Sequence, residues 1–249
     1  MKPYRRPSLP LIIGRKPVME AIVGGEAIEK LYVLRSAAGP EISDLKRAAN
    51  GRNIPIALVP VEKLSQLTKA QHQGVVAIGG VLNYIELQDA IDHVVAKGET
   101  PLFLLLDGVT DVRNIGAIAR SALCLGAQAI ILPTASGATL TEDAVKTSAG
   151  ALRQILLVRV PTVPKTIEAL RLNGVSVFGT QMKGSIPLPE ADFSGPCCIV
   201  MGEEGSGVSK EVLKSADALI RIPMAGGFDS LNVSVAASII LYEAQRQRG

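Results

Sequence analysis

The chain has 249 residues, of which 47% are hydrophobic and 20% charged, and its formal net charge is +3. This length and apolar content suffice for one large domain or two small ones and exclude a disordered chain. No apolar run approaches the roughly 18 residues that a membrane-spanning helix needs, and the N-terminus has no apolar stretch before a small-residue cleavage site. We therefore expect a soluble, cytoplasmic protein.

Cysteine and histidine usage argues against two kinds of site. The three cysteines, Cys124, Cys197 and Cys198, lack C-x-x-C spacing, a pattern that predicts reduced, buried thiols and no bound metal. The two histidines, His72 and His93, lie beside no Gly-rich or serine-bearing turn. The pattern of a Ser-His-Asp hydrolase is therefore missing.

Positive charge is concentrated in the first third of the chain. Residues 1–83 carry 12 Lys and Arg against 6 Asp and Glu, whereas the remainder has a small negative excess. Such asymmetry is typical of a domain that binds a polyanion, most often nucleic acid, although a solvated surface gives the same count. The most clustered basic residues are Arg5, Arg6, Arg15, Lys16, Lys46, Arg47 and Arg52.

The first third alternates strand-like and helical patterns. Strands are predicted at 31–34, 54–59 and 75–82, with helices near 15–23, 43–50 and 61–68. This alternation indicates a small α/β domain over residues 1–83. A polar helical stretch follows at 86–98, and the stop signals Gly98 and Pro101 close it. We interpret residues 84–100 as a linker.

Residues 101–249 are predicted to form a second α/β domain. Its apolar runs are continuous rather than alternating, as in parallel strands that are covered on both faces. They lie at 102–109, 129–133, 155–160, 175–180, 197–202 and 218–224, with helical segments at 114–127, 164–174 and 234–248. Ligands of parallel sheets bind at the carboxyl ends of the strands. The small or polar loops after the last three strands are therefore candidate binding loops.

The stretch S-L-N-V-S-V-A, residues 230–236, places Ser230, Asn232 and Ser234 just before an apolar helix. Three polar side chains exceed what helix capping requires, because one N-cap side chain satisfies only one or two backbone N–H groups. Gly226 and Gly227 precede them and allow a tight turn or the close approach of a ligand. This segment is the first candidate site.

The loop M-G-E-E-G-S-G, residues 201–207, resembles a phosphate-binding loop only superficially. It lacks the pattern G-x-x-x-x-G-K-[ST], and Glu203 and Glu204 would repel phosphate. A neutral or cationic ligand fits better. The simpler interpretation is a strand-to-helix turn whose acids complement the dipole of a helix that begins near Val208 or Ser209.

The helix at 114–127 presents Arg120 on the side opposite its apolar face. A surface arginine is most often solvated, and helical geometry alone gives it no function. Asn114 is predicted to be the N-cap of this helix. Neither residue carries a functional assignment by itself.

Three separated motifs together resemble, in order and spacing, the signature motifs of the SpoU branch of the SPOUT RNA 2′-O-ribose methyltransferases. They are D-G-V-T-D-V-R-N-I-G-A-I-A-R, I-V-M-G-E-E-G-S-G and I-R-I-P-M-A-G-G-F-D-S-L-N-V-S-V-A. The segments I-I-G-R-K-P-V-M-E-A-I and H-Q-G-V-V-A are similar to the L30e-like RNA-binding domain of the RlmB group, which methylates a guanosine of 23S ribosomal RNA. One departure is Val112, where many relatives have proline.

The resemblance implies a C-terminal SPOUT domain with a deep trefoil knot, a homodimer, and S-adenosyl-L-methionine as cofactor. It assigns cofactor binding to Thr180, Met201, Gly202, Ile222, Met224, Ser230 and Leu231. It assigns the catalytic centre to Arg120, Asn114, Glu204, Ser230 and Asn232. The expected activity is 2′-O-methylation of a ribose in 23S ribosomal RNA, at a guanosine. A transfer RNA substrate and a non-catalytic RNA-binding or assembly protein of the same fold are the alternatives.

Overall fold

A computed structural model describes residues 11–134, 140, 142–182, 185–203, 205–225 and 230–249. These form two compact units that divide between Asn83 and Tyr84, with Leu140 and Glu142 grouped with the first unit. Arg5, Arg6, Glu204, Gly226 and Gly227, which the sequence singled out, lie outside the described residues.

The first unit is a four-stranded sheet with helices. Its strands are β1 (Leu11–Ile13), β2 (Ile28–Leu34), β3 (Ile56–Val59) and β4 (Val75–Gly79), and its helices are α1 (Arg15–Val23), α2 (Pro40–Gly51) and α3 (Val61–Leu67). The sheet order is β1-β4-β2-β3, with β2 and β3 parallel and the other neighbours antiparallel. Because side chains alternate along a strand, Leu31 and Val33 of β2 enter the core that α1 and α2 cover.

The second unit contains a seven-stranded sheet. Its strands are β5 (Leu102–Asp107), β6 (Ala129–Pro133), β7 (Leu156–Val160), β8 (Ser176–Thr180), β9 (Ile186–Pro187), β10 (Cys197–Gly202) and β11 (Ala218–Arg221). Its helices are α4 (Leu87–Ala96), α5 (Val112–Cys124), α6 (Glu142–Thr147), α7 (Val163–Leu172), α8 (Lys210–Ser215) and α9 (Val233–Arg248). All neighbouring strands in the order β7-β6-β5-β10-β8-β11-β9 are parallel. The predicted parallel α/β fold is confirmed.

The order of the strands brings distant segments together. Strand β10 lies between β5 and β8 and pairs along its whole length with β5, Cys197 opposite Leu102 and Gly202 opposite Asp107. Since all strands are parallel, the loops after β5, β8, β10 and β11 meet at one edge of the sheet. The trefoil knot stays a prediction.

Helix α4 lies within the segment that was interpreted as a linker. Its apolar residues Ala90, Ile91 and Val94 are buried in the core of the second unit. Tyr84, just before this helix, stacks on the guanidinium of Arg159 in β7 at 3.5 Å. Residues 84–100 are therefore packed structure of the second unit, and the exact domain boundaries stay a prediction.

The three cysteines are unpaired. Cys197 and Cys198 are buried in β10, and burial raises the pKa of the Cys197 thiol to about 11 and that of Cys198 well above its usual value. The expectation of buried thiols is wrong for Cys124, which is exposed at the end of α5. No helix among the residues that the structure describes is long and apolar enough to cross a membrane.

Arg248 fastens the end of α9 to the sheet. Its guanidinium donates to the carbonyl oxygens of Phe193 at 2.8 Å, Thr100 at 2.8 Å, Pro101 at 3.0 Å and Gly195 at 2.6 Å. These carbonyls belong to the segments that enter β5 and β10. One side chain thus ties the last described helix to the two central strands.

We expect Arg248→Ala to lower the free energy of unfolding of the second unit by about 3 kcal/mol, because several charge-assisted hydrogen bonds are lost while side-chain entropy is regained. Urea denaturation followed by circular dichroism measures this. Arg113→Ala is the control, since its side chain is 81% exposed and forms one surface ion pair. Equal midpoints for the two variants would contradict the role of Arg248.

Glu243, in the same helix, is held ionised by its neighbours. Arg246 donates to both of its carboxylate oxygens, at 2.9 and 2.7 Å, and Gln247 donates to one at 2.8 Å. The hydrogen bonds from Arg246, then that from Gln247, lower the pKa of Glu243 from 4.5 to about 2. The Glu243 carboxylate is therefore protonated less readily in the folded state than in the unfolded state.

The resulting stabilisation is complete above pH 4.5 and is lost as the pH falls towards 2. Glu243→Gln is expected to be less stable than the wild type at neutral pH and to lose less stability across this acidic range. Urea midpoints of both proteins, measured through the range, test this. Parallel curves for the two proteins would show that Glu243 contributes nothing to the pH dependence.

Candidate functional site

A cavity of about 400 Å³ opens where β8, β10 and β11 end and α9 begins. Its walls are mainly apolar, with Met201, Ile222 and Leu231 among them, and a few polar groups such as Thr180 and Ser230. The remaining lining residues are Gln181, Met182, Gly202, Glu203, Gly205, Ser206, Gly207, Val208, Leu213, Ile220, Arg221, Met224, Val233, Ala236 and Ile240. A concave, largely apolar pocket with few polar groups is typical of a small-molecule site.

The cavity contains all seven residues that the resemblance assigns to cofactor binding. Thr180 closes β8, where its hydroxyl donates to the carbonyl of Val200 at 3.0 Å. The seven are Thr180, Met201, Gly202, Ile222, Met224, Ser230 and Leu231. The structure thus brings together residues from three separate loops, and their binding role stays a prediction.

The loop after β10 folds back tightly on its own strand. Glu203 and Gly207 exchange two backbone hydrogen bonds, at 3.1 and 3.0 Å, and the Ser206 hydroxyl donates to the Glu203 carboxylate at 2.8 Å. A Cβ at Gly202 would overlap the carbonyl carbon of Gly207 and the amide nitrogen of Val208. Only glycine fits here because backbone, rather than a movable side chain, occupies the space.

Asn114 and Asn232 meet although they lie 118 positions apart, since Asn232 Nδ2 donates to Asn114 Oδ1 at 3.1 Å. Asn232 is the N-cap of α9 and accepts from the backbone N–H of Ser234 at 2.9 Å and from its hydroxyl at 2.6 Å. Ser234 therefore belongs to the cap, contrary to the expectation that it exceeded capping needs. Asn232 holds both α9 and Asn114 in place.

The N-cap of α5 is Asp111 and not Asn114, so that prediction is wrong. Asp111 accepts from the backbone N–H of Arg113 at 2.8 Å, and its hydrogen bonds to the Arg113 side chain and backbone lower the pKa of the carboxyl. Asn114 lies further along the first turn, where its side chain is available to Asn232. Asp111 therefore caps α5, and the Asn114 side chain contacts Asn232.

Helices α5 and α9 are also joined further along by a pair of hydroxyls. Ser238 Oγ lies 2.7 Å from Ser121 Oγ and 2.7 Å from the carbonyl of Ser234. This contact fixes how α9 lies along α5. It also places Arg120, the neighbour of Ser121, at a defined position beside this helix pair.

Arg120 is exposed on α5 and does not line the cavity. It makes no hydrogen bond or ion pair with any residue that the structure describes. A guanidinium that the described part of the fold leaves uncommitted is available to a ligand outside the cavity. Glu204, the remaining predicted catalytic residue, lies outside the described residues.

Sequence reasoning missed the contribution of α9 to the cavity wall. Val233, Ala236 and Ile240 line the cavity. Their spacing of three and four residues is the pattern of one helix face, but the same pattern marks an ordinary core face. The spacing predicts a buried helix face, but it does not show whether that face covers the core or lines a cavity.

Part of the basic cluster in the first unit is used within the fold. The Arg15 guanidinium pairs with a glutamate of α2 at 3.0 Å, and Arg52 donates to a backbone carbonyl at the end of α1 at 2.7 Å. Lys16 and Lys46 make no hydrogen bond or ion pair with described residues and are the better candidates for contacts with a polyanion. In the described ranges, no three His, Cys, Asp or Glu side chains form a group that could hold a metal ion.

Comparison with known proteins assigns both parts of the chain. Residues 101–242 match the profile of the SpoU rRNA methylase family. Residues 11–84 match the profile described as RNA 2′-O ribose methyltransferase substrate binding.

Relatives that align with nearly the whole chain are also named as RNA methyltransferases. A Staphylococcus saprophyticus protein, provisionally named a TrmH family tRNA/rRNA methyltransferase, is 36% identical over 96% of both chains. The Bacillus subtilis protein YacO, with the same provisional name, is 35% identical over 95% of both.

Solved structures share the fold. The SpoU methyltransferase AviRb from Streptomyces viridochromogenes, crystallised with AdoMet, is 29% identical with a TM-score of 0.59, covering 96% of this chain and 90% of its own. An AdoMet-bound rRNA methyltransferase from Sinorhizobium meliloti is 30% identical with a TM-score of 0.59, covering 95% and 86%. With both parts of the chain matched and the cavity lined by residues of the second and third motifs, the chain belongs to the SpoU rRNA methylase family of RNA ribose methyltransferases.

Proposed function

We propose that this chain transfers a methyl group from S-adenosyl-L-methionine to a ribose 2′-oxygen of 23S ribosomal RNA, at a guanosine. The observation that carries the proposal is that the cavity at the ends of β8, β10 and β11 collects all seven candidate cofactor residues. Cofactor-bound relatives of the same fold support the choice of ligand.

The residues present fit this cofactor. A volume of about 400 Å³ lies within the range of roughly 300–1,000 Å³ that small-ligand sites occupy. The apolar walls suit an adenine ring, and the acidic Glu203 suits a cationic ligand better than a phosphate. When bound, the cofactor supplies an electrophilic methyl group on a sulfonium.

We assign to Arg120 the role of orienting the target ribose. Its guanidinium keeps its proton in proteins, so it serves as a hydrogen-bond donor and not as a base. From an exposed position it binds a phosphate next to the ribose and stabilises the negative charge that develops on the attacking oxygen. Alignment of the reacting atoms is the main contribution that the protein can make.

The Asn114–Asn232 pair provides the fixed polar groups of the proposed centre. The hydrogen bond of 3.1 Å immobilises both amides at the start of α5 and α9. By its position in the motif, Ser230 contributes a hydroxyl at the cavity wall. The family resemblance assigns Glu204 to the same centre. These groups orient the 2′-hydroxyl rather than react with it.

The ribosomal substrate is favoured by how much of the chain each relative covers. The Sinorhizobium meliloti rRNA methyltransferase covers 95% of this chain, whereas the tRNA modifying enzyme from A. aeolicus, 32% identical with a TM-score of 0.56, covers 65%. The chain carries a substrate-binding unit besides the catalytic one, and this arrangement is shared with the rRNA methyltransferase over nearly the whole chain.

We also propose that the protein acts as a knotted homodimer in the cytoplasm. Val235, Ile239 and Tyr242 of α9 are 46%, 37% and 61% exposed, and their spacing puts them on one face of the helix. An apolar stripe of this kind indicates an interface. Light scattering coupled to gel filtration should give twice the mass of the chain, and a monomer at micromolar concentration would contradict the dimer.

The proposed activity is tested with cofactor that carries a labelled methyl group. The chain is incubated with unmodified 23S RNA, with transfer RNA and with a large ribosomal particle, and labelled positions are mapped by resistance of the 3′ phosphodiester to alkali. We expect label at one guanosine ribose of 23S RNA. Label in transfer RNA alone would overturn the substrate, and cofactor binding without transfer to any RNA would favour a non-catalytic RNA-binding protein.

A further inference from the structure

A carboxylate outside the predicted catalytic set lies next to the cavity. Asp107 is the last residue of β5 and stands opposite Gly202 in the pairing of β5 with β10. Its Oδ2 accepts a hydrogen bond from the backbone N–H of Ser209 at 2.7 Å, across 102 positions of sequence. The end of one central strand is thereby tied to the loop that follows the other.

The described residues of that loop, 203 and 205–209, make few other hydrogen bonds, among them the one from the Ser206 hydroxyl to the Glu203 carboxylate. Among its described residues, Glu203, Gly205, Ser206 and Gly207 are exposed, Ser209 is half-buried and Val208 is buried. The two backbone hydrogen bonds between Glu203 and Gly207 close its near end. Its described residues from Gly205 to Val208 line the cavity, so the position of the loop sets the shape of the binding site.

The far end of the loop depends on Asp107. Ser209 is the N-cap of α8, yet its side chain makes no capping hydrogen bond. The Ser209 hydroxyl is buried and has no hydrogen-bond partner among the described residues. The bond from its N–H to the Asp107 carboxylate is therefore the polar attachment of this end, and the charge on the acceptor makes it stronger than a neutral one.

We propose that Asp107 is a positioning residue that preorganises the 203–209 loop for the cofactor. A loop that already has its bound shape loses less conformational entropy when the ligand binds, and this difference appears as affinity. Asp107 itself does not line the cavity. The inference rests on the proposed function, because it assumes that the cavity holds the cofactor.

Calorimetry with S-adenosylhomocysteine, the demethylated product, provides the first test. We expect Asp107→Ala to weaken binding about 10- to 100-fold, the factor that corresponds to one charge-assisted hydrogen bond. Asp107→Asn retains an acceptor oxygen and should recover most of this loss. In turnover, the KM for S-adenosylmethionine should rise while the KM for RNA and the kcat at saturating cofactor stay near wild type.

Asp217→Ala is the matched control. Asp217 Oδ2 accepts from the backbone N–H of Val177 at 2.8 Å, and its Oδ1 pairs with Arg171 at 3.0 Å. It thus ties the start of β11 to β8, at the opposite end of the sheet from the cavity. Its loss should lower the melting temperature and leave the affinity for S-adenosylhomocysteine unchanged. Equal weakening of S-adenosylhomocysteine binding in both variants would mean that Asp107 contributes only to general stability, and it would overturn the proposal.

Hydrogen exchange separates this proposal from the proposed function, since it needs no ligand. The Gly207 amide, bonded to the Glu203 carbonyl, should lose protection in Asp107→Ala while amides of β8 keep theirs. Unchanged exchange together with unchanged affinity would overturn the positioning role. Loss of protection in a chain whose wild type binds no S-adenosylhomocysteine would overturn the proposed function and uphold the role of Asp107 in holding the loop.

Discussion

Gly202→Ala is expected to weaken binding of S-adenosylhomocysteine by at least about 100-fold. The added Cβ would occupy the space of the Gly207 carbonyl carbon and the Val208 nitrogen. Forced overpacking typically costs about 1–3 kcal/mol and more where the neighbour cannot move. Here the neighbour is backbone that two hydrogen bonds hold, so the loop must leave the cavity wall.

The control for this variant is Gly195→Ala in the turn before β10. An added Cβ at Gly195 meets nothing within 4 Å, and its φ lies outside the left-handed region that favours glycine. Gly195→Ala should bind as the wild type does. Calorimetry measures both affinities, and circular dichroism checks that each variant is folded. Tight binding by a folded Gly202→Ala protein would show that the cofactor lies elsewhere.

Arg120→Ala is expected to lower kcat about 100- to 1,000-fold while leaving the affinity for S-adenosylhomocysteine within about twofold, because a donor aimed at developing charge contributes that much to the rate. The separation follows from geometry, since Arg120 is exposed on α5 and does not line the cavity. The fold should tolerate the change, because Arg120 makes no hydrogen bond or ion pair with the described residues. Single-turnover methylation of RNA measures the rate.

Arg113→Ala provides the comparison on the same helix. Arg113 is also exposed, but it pairs with Asp111 at 2.8 Å. We expect the Arg113→Ala substitution to leave kcat near the wild-type value. Arg120→Lys keeps the charge but loses the planar fork that binds phosphate oxygens in pairs, and should recover only part of the rate. Undiminished turnover in Arg120→Ala would remove this residue from the proposed centre.

The sequence was most informative where the physics is local. Strands buried on both faces read as unbroken apolar runs, and the predicted strand at 197–202 coincides with β10 as the structure has it. The strands β1 and β9, of three and two residues, were missed because no period can be recognised in so short a run. The order of the strands was not predictable, since parallel neighbours such as β5 and β10 are chosen by packing and not by adjacency in sequence.

The site followed a similar division. The sequence predicted that the loops bearing Thr180, Gly202 and Ser230 lie together, because loops at the carboxyl ends of parallel strands meet at one edge of the sheet. The prediction of Asn114 as N-cap was wrong because Asp111, nearby in sequence, is an equally good capping residue. The contact of Asn114 with Asn232 depends on how α9 packs against α5, which the sequence does not show. The role of Asp107 was invisible, since its partner is a backbone N–H that has no signature in sequence.

The hydrogen bond between Asn114 and Asn232 also has a consequence for how the enzyme is made. A ribosome has to release α9 before the amide at the start of α5 can find its partner, 118 positions later. Long-range contacts of this kind slow folding, because the intervening chain must be ordered before they form. A nascent chain should therefore acquire its competence last, and after dilution from denaturant the recovery of turnover should lag behind the recovery of helical signal.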